Sequence, residues 1–334
     1  MLFRMYDEDK PDTMINHHTR GIIIDFIGGE PFMNVATMHY GCEYFINECI
    51  RRDHQWLNHF RFNISSNGML YFEPEVQKFI KQFHPFLSLG ITIDGPKELH
   101  DACRKDWDGN GSFDKAILAF RDWRDKYHAY PNTKVTIAPE NLPYLNEIFQ
   151  FFINEGCDNI NANPIHEHKW TPEEAKIYYD QLKQLADVLL NNHNITSSLF
   201  MEACGIPLSS MENQNWCGGT GKMLAFDTEG LAYPCVRYMK SSLGSDQPPI
   251  IVGSVEGVYR TEEERTMYKT LNAITRRSQS TDECFNCSIA AGCGWCSAWN
   301  YQESGSCNIR STNICWMHRA RSLVNSYYCN NYYR

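Results

Sequence analysis

Four cysteines crowd into thirteen residues near the end of the chain, with the spacing C-x2-C-x5-C-x2-C: Cys284, Cys287, Cys293 and Cys296. Thiolates this close together need a common partner, so the options are two disulfides or a centre built on a soft metal. Gly292 and Gly294 flank Cys293, and glycine allows the backbone to wrap closely around a bulky centre. The spacing therefore predicts a metal or redox site.

Further cysteines flank this stretch, namely Cys217, Cys235, Cys307 and Cys315. Structural zinc usually takes two C-x2-C pairs about 12 or more residues apart, whereas five residues separate the two pairs here. Iron–sulfur clusters accept such short spacings and often recruit a distant cysteine. The spacing favours iron–sulfur ligands, with zinc and disulfides as the alternatives.

Clustered metal ligands in a chain with fourteen cysteines predict a reducing compartment, hence a cytoplasmic protein.

The composition is that of a globular protein without nucleic-acid or membrane partners. The 334 residues are 43% hydrophobic and 21% charged, with a formal net charge of −9. This charge argues against nucleic acid, because phosphate binding requires clustered Lys and Arg. The sequence contains no apolar run of about 18 residues, so no membrane span is expected. Acidic residues follow directly after Met1–Tyr6, and this pattern argues against a secretory signal peptide.

Strand-like and helix-like segments alternate five times in the first 190 residues. Strands are predicted at 21–27, 61–65, 87–93, 134–137 and 159–163, and helices at 35–57, 73–83, 112–127, 142–155 and 171–190. Such alternation predicts an α/β fold with parallel strands and right-handed crossovers. The nearly continuous apolar run at 21–27 predicts a strand buried on both faces.

Three polar, glycine-bearing turns follow the first three predicted strands: Gly28-Gly29-Glu30-Pro31, Ser65-Ser66-Asn67-Gly68 and Asp94-Gly95-Pro96. In parallel α/β sheets, ligands bind at the carboxyl ends of the strands. Any one of these turns alone would indicate only an ordinary turn. Together they predict a ligand site along one rim.

The second part of the chain has fewer regular elements and most of the cysteines. A hairpin is predicted at 223–234 around Asp227-Thr228-Glu229-Gly230, with helices at 262–275 and from Cys315 to about residue 328. We expect two domains, 1–195 and 196–334. Metal, more than a large apolar core, is expected to hold the second one together.

In order and spacing, these motifs resemble those of radical S-adenosylmethionine (SAM) enzymes that carry a SPASM domain. Gly28-Gly29-Glu30-Pro31, Ser66-Asn67-Gly68, Thr92-Ile93-Asp94-Gly95-Pro96 and His100-Asp101-x2-Arg104 match the radical SAM core. Cys217-x12-Gly230-x4-Cys235, the C-x2-C-x5-C-x2-C stretch and Cys315 match the SPASM pattern. Peptide-modifying maturases, including those acting on cysteine-rich ribosomal peptides, are the nearest look-alikes. The resemblance implies a partial (β/α)6 barrel lacking its first strand, followed by a small SPASM domain.

The resemblance implies a SAM site at the predicted rim. Gly28-Gly29-Glu30-Pro31 would hold the SAM amino group through its backbone and the Glu30 carboxylate. Arg104 would pair with the SAM carboxylate, and Thr92 would add a hydroxyl, with Asp94 and Ser66 as neighbouring contacts. The alternative for Arg104 is a surface ion pair with Asp101 or Asp106.

The resemblance also implies two auxiliary [4Fe–4S] clusters. One would take Cys217, Cys235 and Cys296, with a fourth position that is either open or filled by Cys204. The other would take Cys284, Cys287, Cys293 and Cys315. Cys307 competes with Cys315, which is favoured because it opens the final helix, and a helix N-terminus stabilises a thiolate.

Two departures from the family pattern affect the expected activity. The sequence contains no C-x3-C-x2-C motif, which the resemblance requires for the cluster that cleaves SAM. We expect this motif in residues preceding Met1, with a pseudo-enzyme as the alternative, and we expect the chain as it stands not to cleave SAM. In sulfatase-maturing relatives an Asp follows the cysteine equivalent to Cys235 and acts as base, whereas this chain has Val236. Peptide cross-linking is therefore expected rather than formylglycine formation.

The implied function is that of a radical SAM enzyme that modifies a ribosomally made peptide, for example by a thioether cross-link. Reductive cleavage of SAM would give a 5′-deoxyadenosyl radical that abstracts hydrogen from the peptide, and the auxiliary clusters would carry an electron. The expected partners are the peptide and a small reductant protein such as a flavodoxin or ferredoxin. The alternatives are an anaerobic sulfatase-maturase-like enzyme, a non-catalytic iron–sulfur electron-transfer module and a zinc-stabilised peptide-binding protein.

Overall fold

The computed structural model describes residues 1–10, 13–127, 133–200, 217–244 and 246–332. The chain divides into two compact units. The sheet unit comprises Arg20–Ile165, Pro172–Met201 and Tyr327–Arg334, and the cysteine unit comprises Met1–Thr19, His166–Thr171 and Glu202–Ser326. The predicted domains, 1–195 and 196–334, differ from these units in the placement of residues 1–19, 166–171, 196–201 and 327–334.

Longer helices and strands lie in the sheet unit, and short elements predominate in the cysteine unit. In chain order the α-helices are α1 (Leu2–Glu8), α2 (Val35–Arg51), α3 (Pro74–Phe83), α4 (Lys97–Cys103), α5 (Phe113–Tyr127), α6 (Leu145–Asn154), α7 (Pro172–Leu190), α8 (Glu262–Asn272), α9 (Arg276–Gln279), α10 (Asp282–Phe285), α11 (Ser297–Ser304) and α12 (Cys315–Tyr332). The strands are β1 (Ile22–Phe26), β2 (Phe60–Ser66), β3 (Leu87–Ile91), β4 (Thr133–Ile137), β5 (Ile160–Pro164), β6 (Ala225–Phe226), β7 (Leu231–Tyr233), β8 (Gly253–Ser254) and β9 (Gly257–Val258).

The strands of the sheet unit pair in parallel. β1, β2 and β3 form one sheet in that order, with Ile22 opposite Phe60 and Phe62 opposite Leu87. β4 and β5 form a parallel pair. The predicted α/β fold with parallel strands is therefore confirmed. Because the strands run the same way, the carboxyl ends of β1, β2 and β3 lie along one edge of their sheet, where the three glycine-bearing turns begin.

Each longer helix buries one face, as α3 illustrates. Its buried residues are Val76, Phe79, Ile80 and Phe83, a spacing that places side chains on one side of a helix. Pro74 occupies the first turn, where its missing N–H leaves no helical hydrogen bond unmade. Burying each large apolar side chain stabilises the fold by roughly 1.5–3 kcal/mol. Such faces hold the strands in place, and with them the turns at the strand ends.

β1 is more exposed than its sequence predicted. None of its residues is fully buried, and Ile23 is 71% exposed. β1 lies at the edge of its three-stranded sheet and pairs with β2 alone among the described strands. The prediction of a strand buried on both faces is therefore wrong. An apolar run shows that a strand can be buried, whereas the elements packed against it decide which faces are covered.

The helix predicted at 35–57 ends earlier, at Arg51. Asp53 has a left-handed backbone with φ 46°, and an α-helix does not continue through that conformation. A 3₁₀ turn follows at Gln55–Asn58, and its Trp56 is fully buried. The other helices and strands predicted for the sheet unit lie within a few residues of the observed ones, while α4 was not predicted.

The cysteine unit contains the predicted hairpin. β6 and β7 are antiparallel, and Gly230 has φ 81° in the turn between them. β8 and β9 extend the hairpin into a four-stranded sheet. α12 begins at Cys315, as predicted, and continues to Tyr332, whereas α1, α9, α10 and α11 were not predicted. Within the described ranges, no helix is both long enough and apolar enough to cross a membrane.

Candidate functional site

Glu30 connects the turns that follow β1 and β2. Its carboxylate accepts hydrogen bonds from the Phe32 N–H (3.1 Å), the Ser66 hydroxyl (2.8 Å) and the Asn67 N–H (2.7 Å). Thr92 joins the same edge, because its N–H donates to the Ser66 carbonyl at 2.8 Å. A carboxylate offers about four acceptor positions, so Glu30 has room for one further donor.

Gly28 and Gly29 present bare backbone at the end of β1. Both are exposed, and a Cβ at either position would meet no atom within 4 Å. Gly28 has φ 147°, a conformation that residues with side chains rarely adopt. Pro31 begins the 3₁₀ turn Pro31–Asn34, whose Phe32 is buried. The loop is therefore anchored at Phe32 and open to close approach by a ligand at its glycines.

Arg104 forms an ion pair with Asp94, just beyond the end of β3. Its Nε donates to Asp94 Oδ2, and its Nη2 donates to Asp94 Oδ1 at 3.4 Å. The two aspartates named as alternative ion-pair partners have other contacts: Asp101 accepts from the Phe113 N–H, and Asp106 accepts from N–H groups of its own loop. A guanidinium has five N–H donors, so Asp94 orients Arg104 and leaves donors for a ligand carboxylate.

His100, on α4, holds this ion pair in place. It is fully buried; its Nδ1 accepts from the Asp94 N–H at 3.2 Å, and its Nε2 lies 3.0 Å from the Ser112 hydroxyl oxygen. Because Nδ1 accepts, the network assigns the ring proton to Nε2, which donates to Ser112. The Ser112 hydroxyl in turn donates to the Arg104 carbonyl at 3.3 Å. Burial lowers the pKa of His100, so the ring stays neutral at neutral pH.

His100 is expected to make the stability of the fold depend on pH. Because its pKa is lower in the folded chain than in the unfolded one, the unfolded chain binds a proton first as the pH falls. The His100 contribution to the free energy of unfolding should be constant well above about pH 6.5 and fall below it, by up to about 1.4 kcal/mol per pH unit. Urea unfolding of wild type and His100→Asn from roughly pH 8 to pH 5 measures this contribution.

The asparagine variant keeps an acceptor for the Asp94 N–H and removes the titrating group. Its stability should therefore decline less steeply in acid than that of wild type. His18 is exposed, so His18→Asn serves as the control and should follow the wild-type profile. Parallel profiles for wild type and His100→Asn would contradict the proposed role of His100.

Four of the cysteines line one cavity in the cysteine unit. The cavity is lined by Cys284, Cys287, Cys293 and Cys315, together with Arg310 and His318 among others. The structure thus brings together the four cysteines that the SPASM resemblance implied for one cluster. Thiolates from four positions around one space are a donor set suited to a soft metal centre.

Two features of this cavity favour thiolates. The Arg310 guanidinium donates to the Cys293 sulfur at 2.8 Å and also to the Cys293 carbonyl at 3.0 Å. Cys315 is the first residue of α12, and a helix N-terminus stabilises a thiolate. Burial raises the pKa of the Cys315 thiol, and Arg319 opposes that rise. A bound metal centre would displace the proton, since metal ligation requires the thiolate.

The other implied ligands lie around Ser297. The Cys217 sulfur is 3.3 Å from the Ser297 hydroxyl, and Cys296 directly precedes Ser297. Burial raises the pKa of the Cys235 thiol to about 12, with smaller contributions in the same direction from Cys296 and Cys217. Cys235 is thus close to both Cys217 and Cys296. Cys204, the other residue considered for this group, lies outside the described residues.

The arrangement of these sulfurs bears on the kind of metal centre. No disulfide joins the cysteines within the described ranges. Among the same residues, no three Cys, His, Asp or Glu side chains converge closely enough to hold a single metal ion. Zinc needs its ligands about 2.0–2.3 Å from one point, whereas an iron–sulfur cluster spreads its thiolates over several irons. Four thiols around one cavity supply the number of ligands that either kind of centre uses.

The chain is similar to known proteins in both sequence and fold. No family model matches the chain. The sequence is 28% identical over 243 residues to a cysteine-type anaerobic sulfatase-maturating enzyme of Clostridium perfringens (strain 13 / Type A), an alignment covering 66% of this chain and 62% of that protein. The fold matches that of native anSMEcpe with bound AdoMet, with a TM-score of 0.64, 18% identity, and coverage of 93% of this chain and 84% of that one. It also matches Streptococcus suis SuiB bound to precursor peptide SuiA, with a TM-score of 0.56, 12% identity, and coverage of 88% and 64%.

The chain resembles the radical SAM/SPASM maturases. This confirms the resemblance inferred from the Gly28-Gly29-Glu30-Pro31 and cysteine motifs. The matched region is 62% of the length of the curated relative.

Reasoning from sequence missed two residues that position site side chains in this maturase-like chain, His100 and Arg310. His100 stood in a matched motif, but nothing in the motif showed that it holds Asp94 in place. Arg310 lies 17 residues beyond its partner Cys293, and no local pattern pairs the two. The only sequence signal for Arg310 was its position among cysteines, and an arginine exposed on the surface could stand at the same position.

Proposed function

We propose that this chain forms a SAM- and peptide-binding radical SAM maturase whose cysteine unit holds two auxiliary [4Fe–4S] clusters. The observation that carries the proposal is the cavity lined by Cys284, Cys287, Cys293 and Cys315 beside Arg310. The two matched structures support the ligands, since anSMEcpe holds AdoMet and SuiB holds a precursor peptide. In this proposal the parallel strands belong to a partial (β/α)6 barrel, and the cysteine unit is a SPASM domain.

Each residue at the strand ends has a physical role toward SAM. The exposed backbone of Gly28 and Gly29 and the remaining acceptor position of Glu30 would receive the amino group. Arg104, oriented by Asp94, would bind the carboxylate through two parallel N–H bonds. Ser66 holds Glu30 in position, and Thr92 extends the same edge. Hydrogen bonds hold Glu30, Ser66 and Arg104 in place before a ligand arrives, which lowers the entropy lost on binding.

The proposed product is a modified ribosomal peptide. When bound, SAM and the clusters would supply the radical and electron-transfer chemistry, which protein side chains cannot provide. The ligands for the cluster that cleaves SAM, C-x3-C-x2-C, do not occur in the sequence. We therefore propose that the chain by itself binds SAM without cleaving it. Cleavage would need those three cysteine ligands, and we propose a flavodoxin- or ferredoxin-like protein as its electron donor.

Anaerobic reconstitution tests the metal assignment. With iron and sulfide supplied, we expect about eight irons and about eight labile sulfides per chain, from two four-iron clusters. Zinc offered in the same mixture should not compete stoichiometrically. One or two zinc ions per chain without labile sulfide would overturn the proposal in favour of a zinc-stabilised binding protein.

A second candidate is an anaerobic sulfatase-maturase-like activity, which the 28% identity to the Clostridium perfringens enzyme favours. Val236 argues against it, because the resemblance places a catalytic Asp at that position. Peptide binding discriminates the two without requiring turnover. Tighter binding of a cysteine-rich ribosomal precursor than of a sulfatase-derived peptide supports the first proposal, and the reverse order supports the second.

A further inference from the structure

Cys307 lies beside Tyr238, and it is not among the residues that line the cavity containing Cys315. The Tyr238 hydroxyl is 3.4 Å from the Cys307 sulfur and donates to the Ser297 hydroxyl at 2.9 Å. Tyr238 and Ser297 are fully buried. The buried phenol therefore fixes the distance between Cys307 and Ser297.

Ser297 connects this tyrosine to the cysteines of the other implied cluster. Its hydroxyl is 3.3 Å from the Cys217 sulfur, and its backbone is bonded directly to Cys296. A continuous series of short contacts thus runs from Cys217 through Ser297 and Tyr238 to Cys307. Cys307 is therefore placed with Cys217 and Cys296.

Cys235 lies three residues before the same tyrosine. It precedes the 3₁₀ turn Val236–Tyr238, and the Tyr238 N–H donates to its carbonyl at 3.1 Å. A Cβ on Gly219 would lie 3.1 Å from the Cys235 sulfur and 3.4 Å from the Tyr238 ring. Gly219 comes two residues after Cys217, so the segment beginning at Cys217 packs directly against Cys235.

The backbone explains how Cys307 reaches this place. α11 begins immediately after Cys296, and Gly305 ends it with φ 74°. A left-handed glycine at a helix end turns the chain away from the helix direction. The Asn300 side chain then donates to the Cys307 carbonyl at 3.3 Å. The helix and its glycine cap therefore return Cys307 to the side of α11.

We propose that Cys307 supplies the fourth thiolate to the cluster site formed by Cys217, Cys235 and Cys296. The proposal rests on the proposed function, in that this site holds a [4Fe–4S] cluster. Four protein thiolates would ligate all four irons, so no iron would be open to a substrate thiol. This cluster would then transfer electrons or stabilise the unit, and the peptide would bind elsewhere. The assignment differs from both earlier expectations for the fourth position, an open iron and Cys204.

Anaerobic reconstitution of Cys307→Ser tests the assignment. We expect the variant to lose between about one and about four irons per chain, with a three-iron electron paramagnetic resonance signal where one iron is lost. Cys235→Ser should lose a comparable amount, and Cys103→Ser, at an exposed cysteine of α4, should match wild type. Wild-type iron, sulfide and spectrum in Cys307→Ser, alongside iron loss in Cys235→Ser, would overturn the proposal.

A labelling measurement on the wild-type chain covers the case in which Cys307→Ser fails to fold. Iodoacetamide should label Cys307 slowly in the reconstituted protein and at least tenfold faster after a chelator removes the iron, as read by mass spectrometry. Equal labelling rates before and after chelation would show that Cys307 is not a ligand. Failure of the proposed function has a different signature, because the wild-type chain would then hold no iron and sulfide at all.

Discussion

Cys293→Ser is expected to halve the iron of the reconstituted chain, from about eight to about four per molecule, with a matching loss of labile sulfide. Cys293 lines the cavity shared with Cys284, Cys287 and Cys315. Its sulfur accepts from Arg310 at 2.8 Å, so the change removes a cluster ligand and replaces the sulfur that accepts from this partly buried guanidinium with a smaller hydroxyl. Because ligand binding of this kind is coupled to folding, the melting temperature of the cysteine unit should fall as well. Iron and sulfide assays with circular dichroism measure both effects.

The control for this experiment is Cys103→Ser, which removes an exposed thiol in the sheet unit. It should bind the same iron as wild type and melt at the same temperature. The four remaining irons of Cys293→Ser should show the spectrum of the site that contains Cys217 and Cys235. Full iron content in Cys293→Ser would exclude this cavity as a cluster site.

Glu30→Ala is expected to abolish detectable SAM binding and to destabilise the sheet unit. The carboxylate accepts hydrogen bonds from Phe32, Ser66 and Asn67, so its removal leaves three donors without their partner. A buried donor left unsatisfied costs about 1–3 kcal/mol. Because Glu30 is only partly buried, water would compensate some of these donors, and we expect a loss of about 1–3 kcal/mol in total. Titration calorimetry with SAM and urea unfolding measure the two effects.

Glu30→Gln separates binding from stability. The amide keeps the size and one acceptor oxygen of the side chain but removes the charge that would face the SAM ammonium. We expect at least tenfold weaker SAM binding with a smaller loss of stability than in Glu30→Ala. Glu140→Ala, at an exposed loop position, is the control and should change neither. If Glu30→Gln bound SAM as tightly as wild type, Glu30 would serve only to connect the two turns.

The local elements of the sheet unit were predictable because their signals lie within a few residues. The apolar run at Leu87–Ile91 predicts a strand, and the spacing of Val76, Phe79, Ile80 and Phe83 predicts a helix. Alternation of the two kinds of segment predicts parallel pairing, and β1–β3 pair in parallel. Even so, the same kind of apolar run predicted burial for β1, whose Ile23 is 71% exposed.

The candidate sites show the same division between local and distant contacts. The resemblance implied a role for Arg104 at the proposed SAM site, but Asp94 as its partner follows from the way α4 packs after β3. Asp94 was expected to be a neighbour, and the alternative partners of Arg104 were Asp101 and Asp106. Those aspartates are closer in sequence, yet loop hydrogen bonds and the start of α5 engage them.

The sequence by itself determined that cysteine thiols are the candidate metal ligands. It also determined the order of the strands and helices and the family that the chain resembles. Cysteine spacing, apolar periodicity and glycine-bearing turns are local patterns, so they can be recognised in the sequence before the fold is known. Only the tertiary structure decided how the thiols group, with Cys315 beside Cys293 and Cys307 beside Tyr238. Seven residues separate Cys307 from Cys315, so spacing alone cannot distinguish them. The glycine that ends α11 and the start of α12 direct the two thiols to different neighbours, and those directions arise from packing between distant segments.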